Sequence, residues 1–319
     1  MKPSHWASIG ETGALWGLRF MFRVYHWLGR TPFRLCLYPV ILYYFLIHRG
    51  ARQASLDYLG HLEQQGLLPD GRSLAAHSYR HFLNFGESML DKLAVWQGDI
   101  TLEDIRFVGH QAFDELADNG RGGLLIGSHL GNLEICRALA QRNTGMTFNV
   151  LMHTAHATRF NEMLRRVSGD SHVNIIQVSD INPATAIVLQ QKLDAGEFLV
   201  IAGDRTPVSG EGNTREAPFL GEAADFPVGP FILASILRCP VLSIFCLRQE
   251  EAGKPGYDLY IEPFAERLRL PRKDRHAALD ECIQRWAERL EHYCALAPLQ
   301  WYNFYDFWAR PGRQLIQMT

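Results

Sequence analysis

The chain has 319 residues, of which 47% are hydrophobic and 21% are charged. A chain of this length and composition can bury a large core without disulfides or metals, which excludes small stapled scaffolds and disordered proteins. The formal net charge of −2 and the pI near 6.7 give no overall basic field. The composition therefore predicts no nucleic-acid partner.

The N-terminal end differs from the rest of the chain in charge. Residues 1–60 carry a net charge of +5, which leaves −7 for the remainder. Between residues 15 and 47 many aromatic side chains interleave with four arginines: Arg19, Arg23, Arg30 and Arg34. Aromatic rings at headgroup depth, with arginines on lipid phosphates, hold a helix in the plane of a membrane surface. We therefore expect residues 1–50 to be a membrane-associating segment; the alternative is a buried hairpin with solvated arginines.

The uncharged and strongly apolar run over residues 35–48 is interrupted by Pro39. It is shorter than the roughly 18–20 residues that a spanning helix requires, so we expect it to lie on a membrane rather than to cross one.

The N-terminus shows no apolar stretch followed by a cleavage site of small residues, so no signal peptide is predicted. The six cysteines form no CxxC pair and no zinc spacing with histidine, which indicates a reduced, cytosol-facing chain.

Residues 51–100 have a helical pattern. Apolar side chains recur there at steps of three and four residues, and the sequence Pro69-Asp70-Gly71 interrupts them. This pattern predicts a helical hairpin.

After residue 101 short apolar runs alternate with amphipathic segments. The runs predict strands at 105–108, 124–126, 148–152, 173–178, 198–202 and 241–247. The amphipathic segments predict helices at 110–119, 131–142, 157–168, 183–195, 228–237 and 274–296. This alternation predicts an α/β domain over residues 101–319, with a largely parallel central sheet covered by helices.

In such a sheet the functional site is expected where strands end and helices begin. At one junction, residues 124–134 read LLIGSHLGNLE. The glycines allow a tight turn, so Glu134 can fold back to the imidazole of His129. A histidine oriented in this way has its other nitrogen available to remove a proton. The alternative is a histidine satisfied in a core turn and a glutamate that caps a helix N-terminus.

The segment resembles the H-x4-D/E motif of glycerolipid and lipid A acyltransferases. Residues 129–134 are similar to the H-x-x-N-x-E form of the late acyltransferases of lipid A biosynthesis. Further similar segments follow in the same order: Gly203-Asp204-Arg205, residues 217–221 with 227–229, and residues 298–302. The resemblance extends over residues 100–310. Residues 9–13 and 52–59 resemble a branch associated with polyene-type and other unusual bacterial lipids.

The resemblance implies transfer of an acyl chain from an acyl carrier protein or coenzyme A thioester to a hydroxyl or amine of a lipid acceptor. His129 would be the general base and Glu134 would orient it, with no acyl-enzyme, no metal and no further cofactor. The implied location is the cytoplasmic face of the bacterial inner membrane, bound peripherally or monotopically. Residues 302–308 lack the arginines that lipid A enzymes usually carry there, which weakens the expectation of a phosphorylated disaccharide acceptor.

Four residues are candidates for substrate binding: Asn132, Arg159, Asp204 and Arg205. Asn132 or an arginine could donate to the thioester oxyanion, and Arg159 suits a phosphate. The alternatives are a solvated helix start for Arg159 and a salt-bridged turn for Asp204 and Arg205. Arg159, Arg165 and Arg166 share a predicted helix and could dock an acidic carrier protein.

Two further segments carry polar residues of interest. Residues 211–215 are expected to form a mobile lid. His153 and His156 have a metal-like spacing but no evident third ligand. Two other functional classes stay open, namely a metal-dependent hydrolase that uses His129, His153 and His156, and a catalytically silent membrane adaptor.

Overall fold

A computed structural model describes residues 27, 30–68, 71–135, 146–152, 173–177, 183–206, 213–251 and 254–309. Three helices precede the sheet: α1 (Arg30–Ile47), α2 (Arg49–Gln64) and α3 (Leu74–Gln97). The Ser73 side chain caps the start of α3 by accepting from the Ala76 backbone N–H. Gly98, in the left-handed conformation, ends it.

The remaining elements form the α/β part of the chain. In the described residues its strands are β1 (Ile105–Val108), β2 (Leu124–Gly127), β3 (Phe148–Met152), β4 (Val173–Gln177), β5 (Phe198–Ala202), β6 (Thr214–Phe219), β7 (Glu222–Pro227), β8 (Val241–Glu251) and β9 (Lys254–Ala265). Its helices are α4 (Gln111–Asp118), α5 (Pro183–Asp194), α6 (Gly229–Leu237) and α7 (Arg275–Leu296), with short 3-10 turns at Leu102–Asp104 and Leu133–Ile135.

Seven strands form the central sheet in the order β1-β9-β8-β2-β5-β3-β4. Five neighbouring strands pair in parallel, in the order β8, β2, β5, β3 and β4. Strand β9 pairs antiparallel with β8 and parallel with β1. The predicted largely parallel central sheet is confirmed. Strands β6 and β7 form a separate antiparallel pair.

The sheet is buried on both faces because helices cover each of them. The β2 side chains alternate between two cores: Leu124 and Ile126 pack with the core that contains α6 and α7, and Leu125 packs with the core that contains α1, α3 and α4. Strand residues buried on both sides need no polar alternation, which is why β2 is uniformly apolar.

Helix α1 has one buried and one exposed apolar face. Phe33, Leu37 and Ile41 are buried against α3, and a Cβ at Gly86 would meet Leu37 and Ile41 side-chain atoms at 3.0 Å. The opposite face exposes large apolar side chains, with Leu35 66%, Tyr43 60% and Leu46 60% accessible. Within the described ranges, no helix combines the length and apolar character needed to span a bilayer.

The structure differs from the sequence-based prediction after β2. The predicted helix at 131–142 is replaced, as far as residue 135, by a loop and the 3-10 turn Leu133–Ile135, while 136–145 lie outside the described residues. The loop forms because the Asn132 backbone N–H donates to the carbonyl of Cys246 at 2.9 Å rather than entering a helix. The helix predicted at 157–168 also lies outside the described residues.

Candidate active site

His129 and Asp204 are neighbours because the strands that precede them are paired. Gly127 of β2 lies opposite Ala202 of β5 in the parallel ladder. The Gly203 backbone N–H donates to the Gly127 carbonyl at 2.8 Å, which continues the pairing past the strand ends. Each polar residue stands two positions beyond its strand, so both lie at the carboxyl edge of the sheet, where α/β proteins bind ligands.

His129 bonds to Asp204 through two groups. The imidazole Nδ1 lies 2.8 Å from Oδ1 of Asp204, and the His129 backbone N–H donates to Oδ2 at 2.8 Å. An ionised carboxylate only accepts hydrogen bonds, so Nδ1 carries the proton and Nε2 presents a lone pair. In the part of the chain that is described, no group hydrogen-bonds to Nε2, and the side chain is 33% exposed. The ring can therefore accept a proton from a substrate.

The Asp204 carboxylate is fully buried and held by further donors. Trp301 Nε1 donates to Oδ2 at 2.9 Å, and Asn303 Nδ2 donates to the same oxygen at 3.3 Å. The Tyr305 hydroxyl donates to the Asp204 backbone carbonyl at 3.3 Å. These bonds fix the carboxylate and, through it, the plane of the imidazole.

Trp301 is in turn anchored by a buried polar chain. His81 Nε2 donates to the Trp301 carbonyl at 2.9 Å, and His81 Nδ1 accepts from the Ser55 hydroxyl at 3.0 Å. The Ser78 hydroxyl donates to that of Ser55 at 2.9 Å. Burial lowers the pKa of His81 to about 4, so this ring is neutral and serves as a fixed donor.

Gly131 allows the loop that carries His129 to pass close to strand β8. Its φ is +72°, and a Cβ there would lie 1.8 Å from the carbonyl oxygen of Cys246. The Gly131 backbone N–H donates to the Gln300 carbonyl at 2.8 Å, and Tyr302 N–H donates to the His129 carbonyl at 2.9 Å. Residues 300–302 thus hold the loop through backbone hydrogen bonds.

Asn132 and Glu134 follow in the same loop, and none of the hydrogen bonds or ion pairs between described residues joins either of them to the imidazole. The buried Asn132 amide donates to the Ser88 carbonyl at 3.3 Å, and its oxygen accepts from the Glu134 backbone N–H at 3.2 Å. The charge of Glu134 acts on Lys92 of α3. The structure therefore pairs His129 with Asp204 and not with Glu134, because the turn at Gly131 directs the chain towards α3.

The charges around His129 favour a neutral imidazole. Burial lowers its pKa, and the positive charges of Arg205 and Lys92 lower it further, while Asp204 raises it. Burial raises the pKa of Asp204. The charge of His129, the hydrogen bonds that His129 donates and the charge of Arg205 lower it, and the net pKa lies below the usual value. At neutral pH the site thus combines an ionised carboxylate with an unprotonated base.

Arg205 lies beside this pair. Its Nε donates to the Asn303 side-chain oxygen at 3.1 Å, and its Nη2 donates to the Tyr302 carbonyl at 3.5 Å. Of the candidates named from the sequence, the structure brings together His129, Asp204 and Arg205. Trp301, Asn303 and Lys92 were not assigned a role from the sequence, although Trp301 stands in the segment 298–302 that resembles the acyltransferases.

Several residues of interest lie outside the described part of the chain. They are Arg159, His153 and His156, the docking arginines Arg165 and Arg166, and residues 211–212 of the expected lid. The lid residues Thr214 and Arg215 are described and lie in strand β6. Among the described residues no group of three or more His, Cys, Asp or Glu side chains is arranged to hold a metal ion.

Comparison with known families places this site in context. The family model described as bacterial lipid A biosynthesis acyltransferase matches residues 80–310. The matched range includes His129, Asp204 and Trp301, together with most of α3 and all of the central sheet. The comparison with curated proteins gave no match.

Proposed function

Because the chain belongs to the bacterial lipid A biosynthesis acyltransferase family, we propose that it transfers a fatty acyl chain from a thioester to a hydroxyl or amine of a lipid acceptor. The family consists of acyltransferases, so the reaction class follows from membership. The observation that carries the proposal for this chain is His129, whose Nδ1 bonds to a buried carboxylate and whose side chain is partly exposed at the carboxyl edge of the sheet.

In the proposed reaction His129 Nε2 removes the proton from the acceptor hydroxyl as its oxygen attacks the thioester carbonyl carbon. The carbonyl electron pair moves to oxygen and forms a tetrahedral oxyanion. When the carbonyl re-forms, the carbon–sulfur bond breaks and the leaving thiolate takes the proton from the imidazolium. The products are an acyl ester and a free thiol, and the histidine returns to its neutral state.

Asp204 is the positioning residue for this base. Its carboxylate fixes the tautomer with the proton on Nδ1 and stabilises the imidazolium that forms during attack. For Glu134, which the family motif implies as the partner of the histidine, we propose an indirect role. Its negative charge compensates the positive charge of Lys92 beside the loop.

We propose that the chain works at a membrane surface through α1. The exposed face that includes Leu35, Tyr43 and Leu46 is apolar, and the opposite face packs on α3. Apolar side chains on one face of a surface helix bind the headgroup and acyl boundary. Since α3 also carries residues beside the catalytic loop, this arrangement would keep the active site near its lipid acceptor. The location expected for the bound chain is the cytoplasmic face of the inner membrane.

For the donor we propose an acyl carrier protein. Arg159, Arg165 and Arg166 would dock its acidic surface, a proposal that rests on the sequence and on the family. Charged docking is screened over about 8–10 Å at ordinary ionic strength, so kcat/KM with an acyl carrier protein is expected to fall steeply with salt. An acyl-coenzyme A donor would show a weaker dependence.

The experiment that tests the function measures transfer of a labelled acyl chain to a lipid extract in detergent micelles, with acyl carrier protein and coenzyme A donors in parallel. We expect activity with the wild type and a loss of about 10²–10⁴-fold in His129→Ala. His110→Ala is the matched control, because His110 Nδ1 also bonds an aspartate, Asp114, at 2.7 Å but outside the site. Hydrolysis that depends on an added metal would instead favour a hydrolase.

A further inference from the structure

A lysine of α3 lies beside the active-site loop. Ser88 and Lys92 are one helical turn apart, so they share a face of α3. The Ser88 carbonyl accepts from the Asn132 amide at 3.3 Å, and α3 also contacts the turn Leu133–Ile135. The helix face that carries Lys92 is therefore fixed against the loop that carries His129.

The charge of Lys92 interacts with the charged groups of the site. Burial lowers the pKa of Lys92, the charge of Glu134 raises it and that of Arg205 lowers it. Lys92 in turn lowers the pKa of His129. These mutual effects agree with the position of Lys92 one helical turn from Ser88, whose carbonyl binds the loop that carries His129.

Among the described residues, no side chain or backbone group uses the donors of Lys92. Lys92 is partly buried, yet none of the hydrogen bonds or ion pairs formed between described residues involves its ammonium. Arg205, by contrast, already donates to Asn303. Glu134 offsets part of the charge of Lys92, but it does not supply a hydrogen-bond acceptor. A partly buried ammonium without an acceptor costs free energy, and an anion bound at the site during function would supply one.

We infer that Lys92 is a catalytic residue that stabilises the oxyanion of the tetrahedral intermediate, an inference that rests on the proposed acyl transfer. As the acceptor oxygen bonds to the thioester carbon, the negative charge that develops on the carbonyl oxygen is met by the Lys92 ammonium. When the carbon–sulfur bond breaks, the electron pair returns to the carbonyl. Lys92 keeps its protons throughout, and His129 alone transfers a proton. Groups aimed at a developing oxyanion commonly make the largest single contribution to such reactions.

A phosphate group of a substrate is the other anion that suits this ammonium. The two cases differ in their kinetics. A contact made only in the transition state contributes to kcat, whereas a contact with a substrate phosphate contributes to KM.

The kinetic test uses Lys92→Met, which keeps the length of the side chain and removes its charge. We expect kcat to fall about 10²–10³-fold with KM changed less than about threefold, and Lys92→Arg to recover part of the loss. The matched control is Lys192→Met, because Lys192 pairs with Glu197 at 3.0 Å near the start of β5, at the opposite edge of the sheet. A raised KM with unchanged kcat, or wild-type turnover, would overturn the inference.

A second test needs no turnover. Octylphosphonate, used below its micellar concentration, places tetrahedral anionic oxygens at the end of an acyl-like chain, and its binding to the full-length protein can be measured by calorimetry. We expect Kd to rise at least about tenfold in Lys92→Met and in Lys92→Gln, and to stay unchanged in Lys192→Met. Thermal unfolding identifies any variant that does not fold, in which case the other Lys92 variant decides.

The two tests separate the two proposals. Equal Kd values in the wild type and the folded Lys92 variants would overturn the role of Lys92 even if acyl transfer is observed. If the Kd depends on Lys92 but no acyl transfer is detected, Lys92 belongs to an anion-binding site and the proposed reaction is contradicted. If Lys92→Met recovers wild-type kcat when combined with Glu134→Gln, Lys92 only neutralises Glu134 and the inference is wrong.

Discussion

Asp204 accepts hydrogen bonds from both the imidazole Nδ1 and the backbone N–H of His129, each at 2.8 Å. The two bonds fix the ring and the loop at the same carboxylate. A shift of the Asp204 carboxylate would therefore move both the imidazole and the backbone of His129. This coupling makes the strand pairing of β2 with β5 part of the catalytic geometry.

The first prediction compares two carboxylates. Asp204→Asn is expected to lower kcat by about 10²–10⁴-fold, because an amide can present its NH₂ group to Nδ1 and impose the wrong tautomer. Glu134→Gln is expected to cost about tenfold or less, since Glu134 acts on Lys92 rather than on the imidazole. Steady-state kinetics of both variants provide the measurement. A larger loss in Glu134→Gln would assign the orienting role to Glu134.

The second prediction concerns pH. Burial and the nearby cations lower the pKa of His129, so the acidic limb of kcat/KM is expected to have an apparent pKa below 6.5. Asp204 raises the pKa of His129, so Asp204→Asn is expected to move the limb to still lower pH while reducing its height. An acidic limb at or above the ordinary histidine value would contradict this electrostatic description of the site.

Sequence patterns predicted the parallel strands because these strands are short apolar runs, and they predicted α7 because its buried residues recur with helical spacing. Strand β9 was missed since Pro255 and Pro263 and its charged residues break the apolar pattern, although Tyr257, Leu259 and Ile261 alternate towards the core. Strands β6 and β7 were missed because they contain few β-branched residues.

The site was predicted only in part. His129 was identifiable from the strand–turn junction, and Asp204 was noted as a candidate after β5. Their contact depends on the register between two strands separated by more than 70 residues, which no local pattern reports. Spacing instead favoured Glu134, which is near in sequence but turned away by the left-handed conformation at Gly131. Lys92 stands on a helix that the motif does not include.

The third prediction concerns stability. His81 is fully buried with a pKa of about 4, against an ordinary value of 6.5. Between these pH values the unfolded chain binds a proton that the folded chain does not, so the free energy of unfolding decreases as the pH falls from 6.5 to about 4. Over this pH interval the neutral His81 accounts for a decrease of about 3 kcal/mol in the free energy of unfolding. Denaturant unfolding of His81→Asn is expected to show lower stability at pH 7 and a weaker pH dependence. An unchanged dependence would show that other groups cause it.

The fourth prediction tests membrane contact by α1. Replacing Leu35, Tyr43 and Leu46 together by serine removes three exposed apolar side chains without touching the face that packs on α3. Partition into anionic liposomes is expected to fall at least about tenfold in a sedimentation assay. The matched control replaces Ile187 and Val188 of α5, which are also exposed and apolar, and is expected to bind as the wild type does. An equal loss of liposome binding in the α1 and α5 variants would contradict membrane contact through α1.

The most direct test of the central claim is mass spectrometry of total lipids from bacteria that express either the wild-type chain or His129→Ala at equal protein level. We expect the wild type to produce at least one lipid whose mass exceeds that of a precursor by one fatty acid less one water, and the precursor to accumulate in the variant. Identical lipid profiles, with both proteins folded and present in equal amounts, would contradict a role for His129 in acyl transfer.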